Sequence, residues 1–338
     1  MAKKRGESGL CLVLAVDKPS GMSSHDVVNR CRRIFGERRV GHTGTLDPLA
    51  SGVLPICVGP ATRLDAYMTG HDKHYVVDVA FGSATDTDDS EGEVIKTGSI
   101  PAEIYDLEFA ERYVSGLVGE HRQMPPVYSA IKVNGQKACD AARKGNIIAL
   151  EPRDIEVYSA SLKAVEGEFG SGEAVWRIAF HVSKGTYIRS LARDLGVSLG
   201  CPAHMSALRR NQAGAISLED CVSLDTLEEI SLRAALDPVQ LLGYRFAYLD
   251  EAAFKAVSCG NALKAERIKL CEKRKPEFSN ALCACSSGVR ESCEPPVEGE
   301  LVSLIFDNKL VSLYEYDASG VFKCRCNFQI GVIRGADL

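Results

Sequence analysis

The chain has 338 residues, of which 45% are hydrophobic and 25% are charged, and its formal net charge at pH 7 is −5. This length allows two domains, or one large domain with an appendage, around a sizeable apolar core. The negative balance excludes a protein coated uniformly in positive charge, although nucleic-acid binding depends on where the charges lie.

The first predicted element is a buried strand in the apolar run Leu10 to Val16. This run is too short to cross a membrane, because a spanning helix needs about 20 apolar residues. It also lacks the small-residue cleavage site of a signal peptide. We therefore expect a soluble, cytoplasmic protein that does not associate with membranes.

An amphipathic helix is predicted next, over residues 24 to 35. Ser23 can cap its N-terminus, and Asp26 lies three residues further on, which is the spacing of a capping box. The helix is expected to end near Gly36. Its apolar residues recur at helical spacing, at Val27, Val28, Cys31, Ile34 and Phe35.

A loop punctuated by glycines, Gly41 to Gly52, follows the helix and contains one carboxylate, that of Asp47. The glycines at positions 41, 44 and 52 can take positive φ or allow close backbone approach. Pro48 disfavours helical geometry at Asp47. An isolated Asp-Pro pair is usually a turn in which the Asp bonds its own backbone. The glycines and Pro48 specify this loop more closely than an isolated Asp-Pro turn, which indicates that it presents the Asp47 side chain. After the loop, the apolar run Val53 to Val58 predicts a further regular element.

Alternating segments predict two strands further along the chain. Residues 74 to 81 alternate between two faces, with Tyr75 near the start of the strand. Residues Val175 to Val182 alternate in the same way. Between them, the acidic segment Asp86 to Glu93 is predicted to be an exposed turn or loop.

The second of these strands leads into a predicted helix. Thr186 is expected to cap this helix, and Gly200 is expected to end it. Arg189 would then lie in the first helical turn, at the mouth of a strand-to-helix junction. The apolar positions of the helix include Ile188, Leu191, Leu195 and Leu199.

Strands and helices in this mixed order indicate an α+β fold rather than a strict βαβ repeat. A change of character between residues 236 and 250 predicts two domains, 1–240 and 247–338. In the second domain, three short strands separated by turns predict a small all-β module. These strands are Leu301 to Phe306, Leu310 to Tyr316 and Val321 to Phe328.

Thirteen cysteines are spread along the chain, and we expect reduced thiols because no secretory signal is apparent. Four of them are close in sequence and could supply thiolates to a zinc ion. Their spacing lacks paired C-x-x-C motifs, so we predict no metal site and keep zinc binding as an alternative. The four are Cys271, Cys283, Cys285 and Cys293.

Basic side chains are concentrated in three blocks. Residues 1 to 45 hold nine basic and four acidic side chains, residues 121 to 155 hold six and three, and residues 181 to 212 hold five and one. Residues 82 to 120, by contrast, hold two basic and ten acidic side chains. A single charged block is usually a solvated surface. Three basic blocks that flank the Asp47 loop favour an RNA-sized anion as the partner.

Several short motifs occur in a fixed order around this loop. They are Asp17 to Ser24, Gly41 to Gly52, Gly59 to Arg63, Asp72 to Tyr75, Pro125 to Lys132, Ser183 to Arg189, and Leu208 to Arg210. Together they resemble the bacterial-type tRNA pseudouridine-55 synthase family over residues 10 to 215. Ordered motifs over such a length rarely match by chance.

The resemblance implies a pseudouridine synthase fold, with a mixed, largely antiparallel central sheet flanked by helices and loops. It also implies a small C-terminal β-rich, PUA-like RNA-binding module. The implied reaction isomerises uridine-55 in the T-arm loop of tRNA: the N-glycosidic bond breaks, the uracil turns, and carbon replaces nitrogen in the bond to ribose. Because no atom or electron is imported, we expect no cofactor. The expected partner is tRNA, and the expected assembly is a monomer.

The resemblance also implies roles for individual residues. Asp47 matches the catalytic aspartate, which attacks either the base or the sugar carbon. Arg189 matches the arginine that keeps this carboxylate ionised, and Tyr75 matches the tyrosine that stacks on the uracil. Substrate contacts are implied for His42, which fills the space left by the flipped base, for Arg63 at a phosphate, for Leu208 across the uracil from the tyrosine, and for Lys132 in a mobile loop that closes over the RNA stem.

Each of these residues has a plainer interpretation when taken alone. An arginine on a helix is usually solvated, and a strand tyrosine is usually a packing residue. Two other functions remain as alternatives. One is an RNA-guided rRNA pseudouridine synthase of the same family, and the other is a non-catalytic protein that binds or folds tRNA.

Overall fold

The computed structural model describes residues 8–146, 148–272 and 291–335. Its strands in chain order are β1 (Leu12–Lys18), β2 (Val40–His42), β3 (Ser51–Val58), β4 (Lys73–Phe81), β5 (Ser83–Thr85), β6 (Val94–Thr97), β7 (Gly119–Gln123), β8 (Lys132–Val133), β9 (Gln136–Lys137), β10 (Arg153–Glu166), β11 (Ala174–Val182), β12 (Ala203–Ala213), β13 (Ile216–Ser217), β14 (Arg245–Tyr248), β15 (Leu263–Lys264), β16 (Leu301–Phe306), β17 (Lys309–Asp317) and β18 (Val321–Ile333). Its α-helices are α1 (Ser24–Phe35), α2 (Asp65–Met68), α3 (Leu107–Ser115), α4 (Ala138–Ala142), α5 (Ile188–Ser198), α6 (Leu224–Ile230), α7 (Pro238–Leu242) and α8 (Glu251–Ser258).

The chain divides into two compact units. Unit 1 comprises Met1–Asp47, Gly52–Gly70 and Ala213–Leu338, and unit 2 comprises Pro48–Ser51 and His71–Gln212. The division therefore falls inside the glycine-punctuated loop, directly after Asp47. The boundary predicted between residues 240 and 247 stays a prediction.

The N-terminal part of unit 1 is built on strand β3. This strand pairs antiparallel with β1, from Leu12 opposite Val58 to Lys18 opposite Gly52. It also pairs antiparallel with the short strand β2. Every residue of β1 except Asp17 is buried, which explains its continuous apolar run. The strand predicted from that run is confirmed.

Helix α1 has the bounds that the sequence predicts. Ser23 Oγ accepts a hydrogen bond from the Asp26 N–H at 3.1 Å, and the Asp26 carboxylate accepts one from the Ser23 N–H at 3.0 Å. These reciprocal bonds form the capping box and satisfy otherwise unpaired helix donors. At the other end, Gly36 ends the helix at φ +58°, a left-handed conformation that costs glycine little.

The C-terminal part of unit 1 is a sheet in the order β14, β16, β17, β18, β15. Strand β14 runs parallel to β16, and the other neighbours are antiparallel. The three strands predicted in this region are confirmed as β16, β17 and β18. Their apolar side chains share one core with the N-terminal strands of the same unit, where Val13 and Val53 pack in a cluster with Leu313 and Phe328.

Unit 2 is organised around strands β4 and β11, which pair antiparallel from Lys73 opposite Val182 to Phe81 opposite Ala174. Strand β12 lies on the other side of β4, and β10 and β7 continue the sheet beyond β11. Both predicted strands are confirmed, and buried and half-buried residues alternate throughout β11 and from His74 onward in β4. Trp176 anchors the buried face, because its indole N–H donates to the Ile104 carbonyl at 2.8 Å.

Two local predictions in unit 2 are wrong. Thr186 does not cap helix α5, the helix predicted after strand β11. Tyr187 occupies the N-cap position in an extended conformation, and the Thr186 hydroxyl donates to the Ser183 carbonyl instead. The acidic segment between β5 and β6 is not wholly exposed either. The side chain of Asp89 lies in the interior, with a residue exposure of 3%.

Candidate active site

The predicted catalytic residue, Asp47, is half-buried at the end of the first segment of unit 1. Its position is set by its neighbour Leu46, whose main-chain N–H and carbonyl both bond the buried Ser24 hydroxyl at 2.9 Å. On the N-terminal side, the Thr43 N–H donates to the Pro55 carbonyl at 3.1 Å. The loop backbone is therefore tied to both helix α1 and strand β3 within a few residues of the carboxylate.

The glycines of this loop behave largely as the sequence predicts. Gly44 has φ +90° and Gly52 has φ +105°, conformations that favour glycine. Gly41 is not in the positive-φ region, and a Cβ there would meet only Thr62 Cγ2, at 3.6 Å. Two of the three glycines therefore serve the loop's unusual backbone, and the third does not need to be glycine on steric grounds.

Lys18, in the motif before helix α1, is a feature that sequence reasoning missed. Its residue exposure is 0%, and its ammonium donates to the carbonyls of Pro19 and Met22. A fully buried lysine is rare unless its charge is balanced by polar partners. Its position between an apolar strand and a Pro-Ser-Gly turn was visible in the sequence, but no periodicity indicated that the ammonium is buried.

Arg189 lies in the first turn of helix α5, as predicted, and is almost wholly buried within unit 2. Its guanidinium donates to the main-chain carbonyl of Thr87 at 3.0 Å and to that of Tyr128 at 2.9 Å. The nearest carboxylate oxygen of Asp89 lies 3.5 Å from Nη1. These contacts hold the guanidinium in one orientation.

Asp89 is a second residue that sequence reasoning missed. One carboxylate oxygen accepts hydrogen bonds from the Thr87 hydroxyl at 2.6 Å and from the Glu91 N–H at 3.1 Å, and the other faces Arg189. The acidic segment therefore forms part of the arginine's pocket. Gly92 makes this turn possible, since a Cβ there would lie 2.3 Å from the Thr87 hydroxyl.

The start of helix α5 is fixed by further contacts from strand β7 and the loop after it. The Gln123 side chain bonds both the N–H and the carbonyl of Tyr187, at 2.9 and 3.1 Å. Arg193 donates to the Asp88 carboxylate at 2.8 Å and to the Met124 carbonyl at 2.9 Å. Burial raises the pKa of Asp88, although the charge of Arg193 works in the opposite direction.

Tyr75 and Leu208 lie on neighbouring strands of unit 2, β4 and β12. Their residue exposures are 7% and 8%, so both are nearly buried. Tyr75 stands opposite Phe180 of β11, on the face that carries the other buried residues of its strand. A uracil ring needs apolar faces of this kind on both sides.

Lys73 lies two residues before Tyr75, on the same face of the strand. Burial, together with the charges of Arg210 and Lys184, lowers the pKa of Lys73 to about 8, and the charge of Asp72 works in the opposite direction. The ammonium donates to the His71 carbonyl. Lys73 therefore holds its proton less firmly than an exposed lysine does.

The remaining predicted contacts lie at the surface or at element ends. His42 is the last residue of strand β2 and stands opposite Ile56. Arg63 is exposed and donates to the Asn327 carbonyl of β18 at 2.6 Å. Lys132 is exposed in the short hairpin of β8 and β9. The roles given to these residues stay predictions.

The four cysteines weighed as zinc ligands are only partly described. Cys283 and Cys285 lie outside the described residues. Cys271 is buried beside Phe246, with which it forms an isolated bridge, and burial raises the pKa of its thiol. Cys293 is exposed.

No helix among residues 8–146, 148–272 and 291–335 is long and apolar enough to cross a membrane.

Comparison with known proteins identifies the class. Two solved structures share the fold, an H/ACA RNP bound to a substrate RNA containing 2′-deoxyuridine and a Cbf5-Nop10-Gar1 complex. The first has a TM-score of 0.64 at 22% identity, covering 95% of this chain and 86% of that chain. The second has a TM-score of 0.64 at 23% identity, covering 98% and 87%. The fold is that of a pseudouridine synthase, so the predicted fold class is confirmed.

The family follows from the sequence itself. A model described as TruB family pseudouridylate synthase (N terminal domain) matches residues 32–188, and one described as tRNA pseudouridylate synthase B C-terminal domain matches residues 189–250. The chain belongs to the TruB family of pseudouridylate synthases.

Relatives called tRNA pseudouridine synthase B support this assignment. The protein from Geobacillus thermodenitrificans is 44% identical over 230 residues, or 68% of this chain and 75% of the relative. The protein from Clostridioides difficile is 38% identical over 270 residues, or 76% of this chain and 85% of the relative. The predicted resemblance is confirmed.

Proposed function

We propose that this protein converts uridine-55 in the T-arm loop of tRNA to pseudouridine, with Asp47 as the catalytic carboxylate. The observation that carries the proposal is membership of the TruB family, with relatives named for tRNA pseudouridine synthesis that match over most of their length. The reaction breaks the bond between uracil N1 and ribose C1′, forms the bond from C5 to C1′, releases the C5 proton to solvent and adds a proton at N1. The composition of the nucleotide is unchanged, so the chemistry needs a carboxylate and no imported group.

The local geometry supports a catalytic role for Asp47. Its backbone is anchored by the Ser24 bonds to Leu46, so the carboxylate is placed by a rigid neighbour rather than by a free turn. A pre-positioned group of this kind loses less entropy when the substrate arrives. In the proposed mechanism, the Arg189 guanidinium keeps this carboxylate ionised inside a pocket that excludes water.

The other predicted residues take supporting roles in this proposal. Tyr75 and Leu208 would bracket the uracil after it leaves the T-loop stack, and His42 would occupy the vacated space. Extruding a base costs roughly a few kcal/mol, which stacking and edge contacts offset. Arg63 and Lys132 would contact the phosphate backbone, together with the PUA-like domain proposed for residues 247–338. Residues 1–240 would form the catalytic domain of a cytoplasmic monomer.

Release of tritium from tRNA labelled at uridine C5 tests the proposal directly. We expect the purified chain to release tritium from an unmodified tRNA transcript, and Asp47→Asn to abolish release while tRNA binding is retained. Asp65→Asn, a change of the same kind at an exposed helix start, should release tritium at the wild-type rate. Wild-type release by Asp47→Asn would overturn the assignment of the carboxylate.

The same assay separates the alternatives. A chain that binds tRNA but releases no tritium under any condition would be a binding or folding protein. A chain that is inactive alone but active with a guide RNA and partner proteins would belong to the RNA-guided branch. Activity on bare transcript excludes both outcomes.

A further inference from the structure

We propose that Asp72, His74 and His181 form a binding site for one divalent transition-metal ion of the zinc class. These residues lie in unit 2, at the end of the β4–β11 pair and on the strand face opposite Tyr75. Their ligand atoms all lie within 4.8 Å of one another. Nothing in the proposed isomerisation uses them as a group.

The strand register brings the two imidazoles together. His74 of β4 stands directly opposite His181 of β11 in the antiparallel pair, and such cross-strand neighbours are in side-chain contact. Their rings are stacked, with centroids 4.0 Å apart and planes 12° apart. Asp72, just before β4, bonds His181 Nε2 through its carboxylate. The strand pair therefore supplies both imidazoles, and the residue directly before β4 supplies the carboxylate.

The donor set selects the class of ion. Imidazole nitrogen suits zinc, copper, iron and nickel, whereas magnesium and calcium prefer oxygen ligands throughout. Two histidines and one carboxylate are a common three-residue ligand set for zinc, with a water molecule in the fourth position. The charge of Lys73, which interacts with that of Asp72, disfavours a weakly held cation, so the direct ligand bonds would have to carry the affinity.

The exposure of the cluster fits a site that solvent can reach. The side chain of His181 is 26% exposed and that of Asp72 is 42% exposed. An ion can therefore enter, and a water can complete its coordination. Tyr158 of β10 borders the cluster, because the centroid of its ring lies 4.8 Å from that of the His181 ring.

Coordination requires a defined movement of the rings. A metal ion lies in the plane of each imidazole that binds it, about 2.0 to 2.1 Å from the nitrogen. Two rings that are nearly parallel and stacked cannot both point at one ion. Binding must therefore open the 12° angle between His74 and His181, and the metal displaces to solvent the proton of the hydrogen bond between His181 and Asp72.

Cobalt(II) is the probe for this site, because it replaces zinc and absorbs visible light. We would titrate the reduced full-length chain and compare it with His74→Phe, which removes one ligand and keeps a ring for the stack. Wild type should bind one more equivalent of cobalt than His74→Phe, with visible d–d bands. In the variant, affinity at this site should fall by at least about 100-fold, since even the loss of an outer partner costs 10–100-fold. His25→Phe, at an exposed position of helix α1, should match wild type.

The cysteines of the chain need a control of their own. Thiolate ligands give an intense near-ultraviolet charge-transfer band that imidazole and carboxylate ligands do not, and alkylating the thiols beforehand removes it. A cobalt equivalent that survives alkylation and is lost in both His74→Phe and Asp72→Asn supports the proposal. Equal stoichiometry in wild type and the folded variants, or loss of all binding on alkylation, overturns it. Asp72→Asn also decides the matter if His74→Phe does not fold.

Discussion

Two buried arginines, one in each unit, are held in different ways. Arg245 of unit 1 forms a two-pronged ion pair with the Glu300 carboxylate, at 2.7 and 2.6 Å. Arg245 also donates to the Glu294 carbonyl at 2.7 Å. Arg189 of unit 2 donates to two main-chain carbonyls, and the Asp89 carboxylate lies at the longer distance of 3.5 Å. Their side-chain exposures are 10% and 7%, so burial does not distinguish them.

The difference lies in how closely each guanidinium holds its carboxylate partner. A bidentate carboxylate fixes a guanidinium and neutralises it, which is the arrangement of a structural ion pair. Carbonyls fix the direction of the Arg189 guanidinium, and the Asp89 carboxylate faces it at a longer distance. We infer that Arg245 stabilises the C-terminal sheet, and the activity of Arg189→Lys tests whether Arg189 acts in the proposed reaction.

The largest effect is expected for Arg245→Met. This change leaves the Glu300 carboxylate without its ion-pair partner in a mostly buried setting, which typically costs about 3–5 kcal/mol. Urea unfolding followed by circular dichroism measures the loss. Arg267→Met, at an exposed position of the same unit, should change stability by less than about 0.5 kcal/mol. Similar stabilities for the two variants would show that the Arg245–Glu300 ion pair does not stabilise the fold.

A large effect on activity is expected for Arg189→Lys. Lysine keeps the charge but cannot donate in two fixed directions to the Thr87 and Tyr128 carbonyls, so the charge is misplaced. Loss of one positioned electrostatic group typically lowers kcat by about 10²–10³. Tritium release under saturating tRNA measures kcat, and the unfolding midpoint should move less than in Arg245→Met. Full activity together with a large loss of stability would show that Arg189 is structural.

A smaller effect is expected for Asp89→Asn. Asparagine can still accept the Thr87 and Glu91 hydrogen bonds, but it removes the negative charge that faces Arg189. We expect a fall of about tenfold in kcat, equivalent to about 1.4 kcal/mol, with little change in KM. Asp78→Asn breaks an ion pair with Arg177. This pair lies on the face of β4 opposite Tyr75, so the change should leave kcat unchanged. An equal fall in both variants would indicate a general loss of stability.

The sequence predicted regular elements well where one local signal determined them. Helix α1 has its predicted bounds because the capping box and Gly36 are both local. The alternation in β4 and β11 likewise identified both strands. Thr186 failed as a cap because Tyr187 is held by Gln123, a residue 64 positions away. Asp89 was placed on the surface for a similar reason, since its partner Arg189 is remote in sequence.

The site residues show the same limit. The ordered motifs selected the Asp47 loop and Arg189 as candidates because a family pattern records long-range contacts that composition does not. The carbonyl partners of Arg189 could not be predicted, since every residue type carries a main-chain carbonyl. The His74–His181 stack was also missed, because it depends on the register between two strands about a hundred residues apart.

The smallest effect concerns the buried charge of Glu37, which accepts hydrogen bonds from neutral groups. The Glu37 carboxylate accepts hydrogen bonds from the Arg39 N–H at 3.0 Å and from the N–H and hydroxyl of Ser8, both at 2.8 Å. Burial alone would raise the pKa of Glu37, but these bonds lower it below the ordinary value of 4.5. The resulting stability is therefore present above pH 4.5 and is lost as the pH falls through the lower folded-state pKa.

Glu37→Gln should accordingly cost about 1 kcal/mol at pH 7, the scale of one such hydrogen bond. The difference from wild type should shrink in acid, as the wild-type carboxyl is protonated. Unfolding curves at several pH values measure this, with Glu229→Gln at an exposed position as the control. A constant difference at all pH values would mean that shape rather than charge matters at Glu37. What sets Arg189 apart from Glu37 is its position in the motif that follows β11, and the activity of Arg189→Lys tests its role.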